Sequence, residues 1–233
     1  MIYVVSDLHG CYEKYIKLLE IINLTAEDKL YILGDIIDRG DSGIKILLDI
    51  MKRKNVIPML GNHEHVAYMV LSRLNVEVTE DNFDTQIDFN TMRLYNSWVS
   101  ENGGYNTLME FEQLHHIKRK KVLEYISDFT VYEELNVNGQ DYILVHAGLG
   151  NFSKDKSLDE YTLDELLWER MDYNKQYYDD KILVSGHTPT CYIDNEYMGK
   201  IYKGNNHIAI DCAAVFGGRL GCICLDTGEE FYV

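Results

Sequence analysis

Residues 30–51 read LYILGDIIDRGDSGIKILLDIM, and the order of strand, turn and helix in them decides the fold. Leu30 to Leu33 form a short apolar run of strand character, Gly34 marks where the chain leaves the sheet, and DIIDRG is the turn. From Ser42, at the N-cap position, SGIKILLDIMKR carries apolar residues at helical spacing. The same order occurs on both sides. In MIYVVSDLHGCYEKYIKLLEII, residues 1–22, a strand runs to Asp7, a turn passes Gly10, and a helix sets Tyr15, Leu18, Leu19 and Ile22 on one face. In NVIPMLGNHEHVAYMVLSRL, residues 55–74, a third strand again runs into a helix. Three such units predict parallel pairing through crossover helices, with a site at the carboxyl ends of the strands.

The acidic, weakly patterned residues 76–88 read as a loop. From Asn90 to about Phe129 the signal is helical, with Met92, Tyr95, Trp98 and Val99 on one face, and this region is expected to form a cap or side layer. FTVYEELNVNGQDYILVHAGL reads as two strands joined at Asn138-Gly139, a hairpin signal. A helix is predicted over Leu158–Met171, a strand in KILVSGH, and the last strands in HIAIDCAAV and GCICLD. Parallel units followed by hairpin-linked strands imply a mixed α+β architecture with two packed sheets and helices outside. With 233 residues, 2 Pro and no linker-like tract, one domain spanning 1–233 is expected.

A net charge of -16 argues against a stable nucleic-acid partner or an anionic membrane surface, but not against a phosphorylated substrate, because bound cations reverse the local field. The opening IYVVSD has no basic leader and no long apolar segment, so a cytoplasmic protein with no membrane association is expected. Its 5 cysteines lack CxxC spacing; Cys222 and Cys224 share one face of a strand, and reduced core thiols are the simplest account.

The strongest functional signal is what stands at the ends of the apolar runs: Asp7 with His9, then Asp35, Asn62, His146 and His187. On an extended backbone Asp7 and His9 point the same way while Leu8 returns to the core. Imidazole and oxygen donors in this mix suit first-row divalent ions, Mn²⁺ first and Fe or Zn also, over Ca²⁺ or thiolate-bound Zn²⁺. If Asp35 bridges, Asp7, His9 and Asp35 hold one ion, and Asp35, Asn62, His146 and His187 the other. Such a pair lowers the pKa of a shared water and accepts phosphoryl oxygens, which is the chemistry of phosphate-ester hydrolysis. His63 is the natural general acid, next to Asn62 but not needed as a ligand, and Asp38 is placed to hold its other ring nitrogen. Arg39 would neutralise phosphate oxygens. A second arginine would be Arg170, at the end of a predicted helix, or Arg219 in FGGRLG. His65 reads as a solvent-facing residue.

With DLHG from Asp7, GDIIDRG from Gly34, GNHE from Gly61, HAG from His146 and GHTP from Gly186, the chain resembles the calcineurin-like metallophosphoesterases, in particular the short bacterial and phage serine/threonine phosphatases. The resemblance implies a four-layer αββα sandwich, a binuclear centre on the six ligands, an Asp38–His63 pair, and phosphate contacts from Arg39 and Arg170. NGGYNT, residues 102–107, is similar to a segment of symmetrical diadenosine tetraphosphate hydrolases and would put Asn102 and Gly103 near the cleft. Leu60 and Ala213 depart from the family pattern, where Arg and Gly are frequent. A phosphoserine/phosphothreonine protein is the first expected substrate, with a small phosphomonoester or a dinucleoside polyphosphate as alternatives; phosphodiester cleavage and a non-catalytic binding module rank below. Tyr105, Tyr173, Tyr177 and Tyr178 are candidates to stack on bases.

Overall fold

Ten strands form two five-stranded mixed sheets in the computed structural model, which describes residues 1–76, 79, 82 and 88–233. Most of the 76–88 segment expected to be a loop lies outside the described residues. The first sheet has the order β10-β9-β1-β2-β3, with β1 Ile2–Val5, β2 Lys29–Ile32, β3 Val56–Pro58, β9 Gly221–Cys224 and β10 Glu230–Tyr232. β1, β2 and β3 pair in parallel as the three strand-turn-helix units require, and β9 closes antiparallel on β1. The second sheet has the order β4-β5-β6-β8-β7, with β4 Tyr132–Val137, β5 Gln140–Val145, β6 Lys181–Ser185, β7 Tyr202–Gly204 and β8 His207–Ala209. The β4–β5 hairpin closes at Val137 opposite Gln140, and Asn138 and Gly139 take the positive φ of 53° and 86° that a two-residue primed turn requires.

Alternation along the strands makes the layers. Tyr3, Val5, Leu30 and Ile32 face the helices, whereas Val4 and Tyr31 point the other way and pack with Leu144, Val184 and Ile208 of the second sheet. On the helical side lie α1 (Tyr12–Ile21), α2 (Gly43–Ile50) and α3 (Asn62–Leu74), joined by α4 (Phe89–Ser100), α5 (Tyr105–Glu112) and α6 (His116–Ser127). Their buried residues, among them Tyr15, Leu18, Leu47, Val70, Trp98, Phe111 and Val122, belong to the same core. The helical region after residue 88 is thus a side layer. Trp98 is fully buried, but Met92, expected on its face, is exposed, because the first turn of α4 stands clear of the core and leaves Phe89 exposed as well.

Over the outer face of the second sheet lies a thinner layer of loops and one short helix, α7 (Leu163–Leu167), with Leu158, Tyr161, Leu166 and Tyr173 packed on Ile143, Val145 and Leu183. The continuous helix expected over 158–171 is therefore broken. Ser157 and Glu160 form one capping box around a single 3-10 turn, and Thr162 with Glu165 forms another, so side-chain oxygens take backbone N–H groups that a continuous helix would have used. Arg170 consequently lies in irregular chain beyond α7. The cysteines are free, with Cys222 and Cys224 both buried against the helical side as their spacing requires.

Candidate active site

Every metal-type residue singled out in the sequence sits just past a strand of one of the two sheets, along one rim. Asp7 and His9 follow β1, Asp35 follows β2, Asn62 opens α3 after β3, His146 follows β5 and His187 follows β6. Among the described residues two groups of ligand atoms lie within 4.8 Å of one another: His9, Asp35 and His63, and Asp35, His146 and His187. Asp35 belongs to both, and its two oxygens divide between them. Oδ2 is 3.5 Å from Nε2 of His9, and Oδ1 is 3.4 Å from Nε2 of His146. Asn62 joins the second group, with Oδ1 2.9 Å from His146 Nε2 and 3.1 Å from His187 Nδ1.

Asp7 is buried beside these groups rather than inside them; its Oδ2 accepts the His187 N–H at 3.0 Å and the Ser6 hydroxyl. The extended backbone expected for Asp7–Leu8–His9 is not present. Asp7 and His9 have φ of 53° and 41°, because the chain has already left the sheet and turns alongside the loop after β2. The N–H groups of Asp7, His9 and Gly10 donate to the carbonyls of Gly34, Asp35 and Ile36, and Leu8 still returns to the core. Gly34 is required by a different neighbour, because a Cβ there would meet the Gly61 backbone at 2.5 Å, and its φ is 85°.

Asp35, Asp38, Arg39 and His187 also have positive φ. Left-handed backbone at non-glycine residues costs roughly 1–3 kcal/mol each and persists only where the surroundings over-determine it. Glu64 supplies much of that constraint. Fully buried, its carboxylate accepts the N–H groups of Asp35 (2.8 Å), Ile36 (2.8 Å), Ile37 (3.1 Å) and Gly61 (3.1 Å). The next two residues are held from the helical side layer: Asp38 N–H donates to Thr107 Oγ1 at 2.9 Å, and Arg39 N–H to the Gly103 carbonyl at 2.8 Å. Asn106 donates to the carbonyls of Arg39 and Gly40 at 3.2 Å. NGGYNT thus braces the DRG turn, and Asn102 lines a small crevice with His63 and Trp168.

His63 donates its Nδ1–H to Asp38 Oδ2 at 2.7 Å, leaving Nε2 toward the cluster, 3.9 Å from Asp35 Oδ2. Burial opposes its charged form, but Asp35 and Asp38 outweigh burial and raise its pKa. His9 and His187 behave oppositely: burial pushes each down to about 3, so their ring nitrogens carry lone pairs at neutral pH. Asp35 is buried too, yet the imidazoles of His146, His63 and His9 hold its carboxyl below the usual range. Burial, aided by neighbouring carboxylates, raises Asp7 well above that range, and burial raises Asp211 to about 6. Three buried carboxylates among neutral imidazoles and an amide oxygen form a donor set that divalent cations fit.

Arg39 directs its guanidinium onto His9 Nε2 and lies 5.2 Å from the Phe216 ring centre. Arg170 is exposed, lies 5.8 Å from the Tyr192 ring, and adds to the depression of His187. Arg219 is engaged elsewhere, donating to the Gly199 carbonyl at 2.6 Å and lying over Tyr232. His65 is half-buried and not solvent-facing, and burial lowers its pKa. None of Glu64, Trp98, Thr107 and Asp211 is among the site residues read from the sequence, and Trp98 enters there only as part of a helical face. Asp211 follows the apolar run HIAI as Asp7 and Asp35 follow theirs, so the same pattern marks it.

Among solved structures, a candidate diadenosine tetraphosphatase superposes with a TM-score of 0.64 at 18% identity, covering 100% of this chain and 92% of that one, a likeness of fold. In sequence, the asymmetrical bis(5'-nucleosyl)-tetraphosphatase PrpE of Geobacillus sp. (strain WCH70) is 26% identical over 93% of this chain and 87% of that protein. Serine/threonine-protein phosphatase 2 of Salmonella typhimurium is 29% identical over 72% of this chain and 67% of that protein. A symmetrical bis(5'-nucleosyl)-tetraphosphatase of Wigglesworthia glossinidia brevipalpis is 30% identical, over 42% of this chain and 36% of that protein's length. Residues 1–212 match the model of the calcineurin-like phosphoesterases, and the chain belongs to that family of metal-using hydrolases.

Proposed function

We propose that this chain hydrolyses a phosphoryl bond with two divalent cations, and that its substrates are dinucleoside polyphosphates. The observation that carries the substrate class is the rim. At the His9 end of the ligand cluster Arg39 lies against Phe216, and at the His187 end Arg170 lies against Tyr192. These two rings are 67% and 70% exposed, so each has a face free for a base, while the arginines supply charge to the phosphates between. Of the tyrosines considered for stacking, Tyr173 and Tyr177 are buried, Tyr178 is packed against the same core, and Tyr105 is exposed.

Asp7, His9 and Asp35 would hold one cation, and Asp35, Asn62, His146 and His187 the other; Mn²⁺ is the first candidate by donor type. Bound there, the cations supply an activated water and positive charge against the phosphoryl oxygens. Arg39 and Arg170 bind and orient the phosphates. His63 holds a proton at Nε2 for the departing oxygen, and Asp38 fixes the ring through Nδ1.

The same acid supports a second reading, phosphoserine or phosphothreonine hydrolysis, which the sequence ranks first. A nucleotide departs as a stabilised phosphate anion, whereas a serine or threonine alkoxide needs a proton, and the His63–Asp38 pair is built to give one. Steady-state kcat/KM with Mn²⁺ for diadenosine tetraphosphate and for a phosphothreonine peptide, on one preparation, separates the two. Preference for the dinucleotide supports the first reading, and preference for the peptide overturns it.

A further inference from the structure

Beside Arg39, away from the ligand cluster, a cavity of about 620 Å³ opens between the starts of α1 and α2 and the turn carrying Val215. None of the residues proposed as metal ligands or as the acid lines it. Its volume falls within the roughly 300–1,000 Å³ of small-molecule sites. Arg39 forms the wall it shares with the cluster, and Phe216, next to Val215, presents its exposed ring at the Arg39 edge. The turn is pinned there: Lys14 Nζ donates to the carbonyls of Ala214 at 2.8 Å and Gly218 at 2.6 Å.

The charge of this cavity differs from that of a polyphosphate track. Glu13 and Asp41 line it, and Lys14 is already committed to backbone carbonyls. Two carboxylates repel additional phosphates but accept hydrogen bonds from vicinal hydroxyls, as acidic residues do from a ribose. A flat ring held against a guanidinium is a platform for a base, and stacking on it needs no particular base identity. Arg39 therefore joins the two features: the exposed Phe216 ring lies against it on one side, and Glu13 and Asp41 line the cavity of which it forms a wall.

We propose that this cavity is the seat of one nucleoside of the substrate, with the base on Phe216 and the ribose hydroxyls on Asp41 and Glu13. The proposal rests on the dinucleoside reading of the site, and two measurements keep their fates apart. The full chain with Mn²⁺, as wild type, Phe216→Ala and Asp41→Ala, is assayed with diadenosine tetraphosphate and with p-nitrophenyl phosphate, and adenosine alone is titrated calorimetrically into each protein. The expected result is a fall in kcat/KM for the dinucleotide about tenfold larger than the fall for p-nitrophenyl phosphate, mainly through KM, with adenosine binding weakened in both variants. Equal losses on both substrates, or none, overturn the cavity assignment while hydrolysis of the dinucleotide by wild type leaves the reaction intact. Adenosine binding that depends on Phe216 and Asp41, in a protein inactive on the dinucleotide, keeps the cavity and removes the reaction. A wild type that neither binds adenosine nor hydrolyses the dinucleotide overturns both.

Discussion

Trp98 donates its indole N–H to Asp38 Oδ2 at 2.8 Å, the same oxygen that lies 2.7 Å from His63 Nδ1. Asp38 Oδ1 is buried without a partner, so the orientation of this carboxylate depends on the Oδ2 contacts. Trp98→Phe keeps most of the buried ring and removes the donor. A hydrogen bond to a charged group is worth about 1.5–3 kcal/mol. If the proton from His63 matters most for a poor leaving group, the variant should lose about tenfold in kcat on an alkyl phosphate and much less on p-nitrophenyl phosphate. Equal losses across a series of leaving groups would mean that Trp98 acts only through packing.

Removal of metal should be visible without any activity assay. Asp7, Asp35 and Asp211 are buried near one another, and the pKa values of Asp7 and Asp211 are raised first by burial and then by the neighbouring carboxylates. A cation that binds only the folded chain stabilises it by mass action, by about 2.7 kcal/mol when its concentration is 100 times Kd. Mn²⁺ should therefore raise Tm over that of chelator-treated protein, and Asp35→Asn should reduce the rise, because Asp35 stands in both ligand groups. An unchanged midpoint with and without chelator would remove the binuclear assignment.

The rim of strand ends was legible because buried strands, turn glycines and ligand-type side chains all leave local marks in sequence. Asp35 is an example: its apolar run, Gly34 and a carboxylate with two oxygens to offer can all be read from a few residues, and the structure places it in both ligand groups. What binds the site together was not local. Trp98 reaches Asp38 and Thr107 reaches the Asp38 N–H across 60 and 69 residues of chain, and no spacing rule predicts such partners. The turn at Asp7–His9 has no local mark for a related reason, since its left-handed φ is imposed by hydrogen bonds to the loop after β2 rather than by its own residues. Arg170 lies off the helix that periodicity predicts because two adjacent capping boxes interrupt it.

Ala213 carries a testable cost. It has φ 59° and ψ 42°, left-handed backbone at a residue with a Cβ, just before the turn that presents Phe216. A left-handed L-residue costs roughly 1–2 kcal/mol, and a glycine there gives back about 0.4–1 kcal/mol through the freer unfolded chain. Ala213→Gly should therefore stabilise the protein by about 0.5–1 kcal/mol in denaturant unfolding, with m unchanged. Destabilisation would show that the Ala213 methyl makes contacts worth more than the strain.

His207 sets a limit on acid stability that is separate from the metal site. Its ring stacks on Tyr173 at 4.8 Å and 17°, Nε2 is 2.8 Å from Ser185 Oγ, and Nδ1 is buried without a partner. Burial pushes its pKa down to about 3 from the ordinary 6.5. The folded state thus binds fewer protons than the unfolded state between those values. Its contribution is intact above pH 6.5 and is lost as pH falls toward 3, at up to about 1.4 kcal/mol per pH unit. His207→Phe keeps a ring for Tyr173 but loses the Ser185 bond, so it should be about 1 kcal/mol less stable at pH 8. Below pH 6 its unfolding free energy should fall less steeply than that of wild type, both measured in chelator so that metal release does not contribute. Parallel curves from pH 7 to 4 would show that His207 takes up its proton in the folded state, and that the buried face of β8 admits charge.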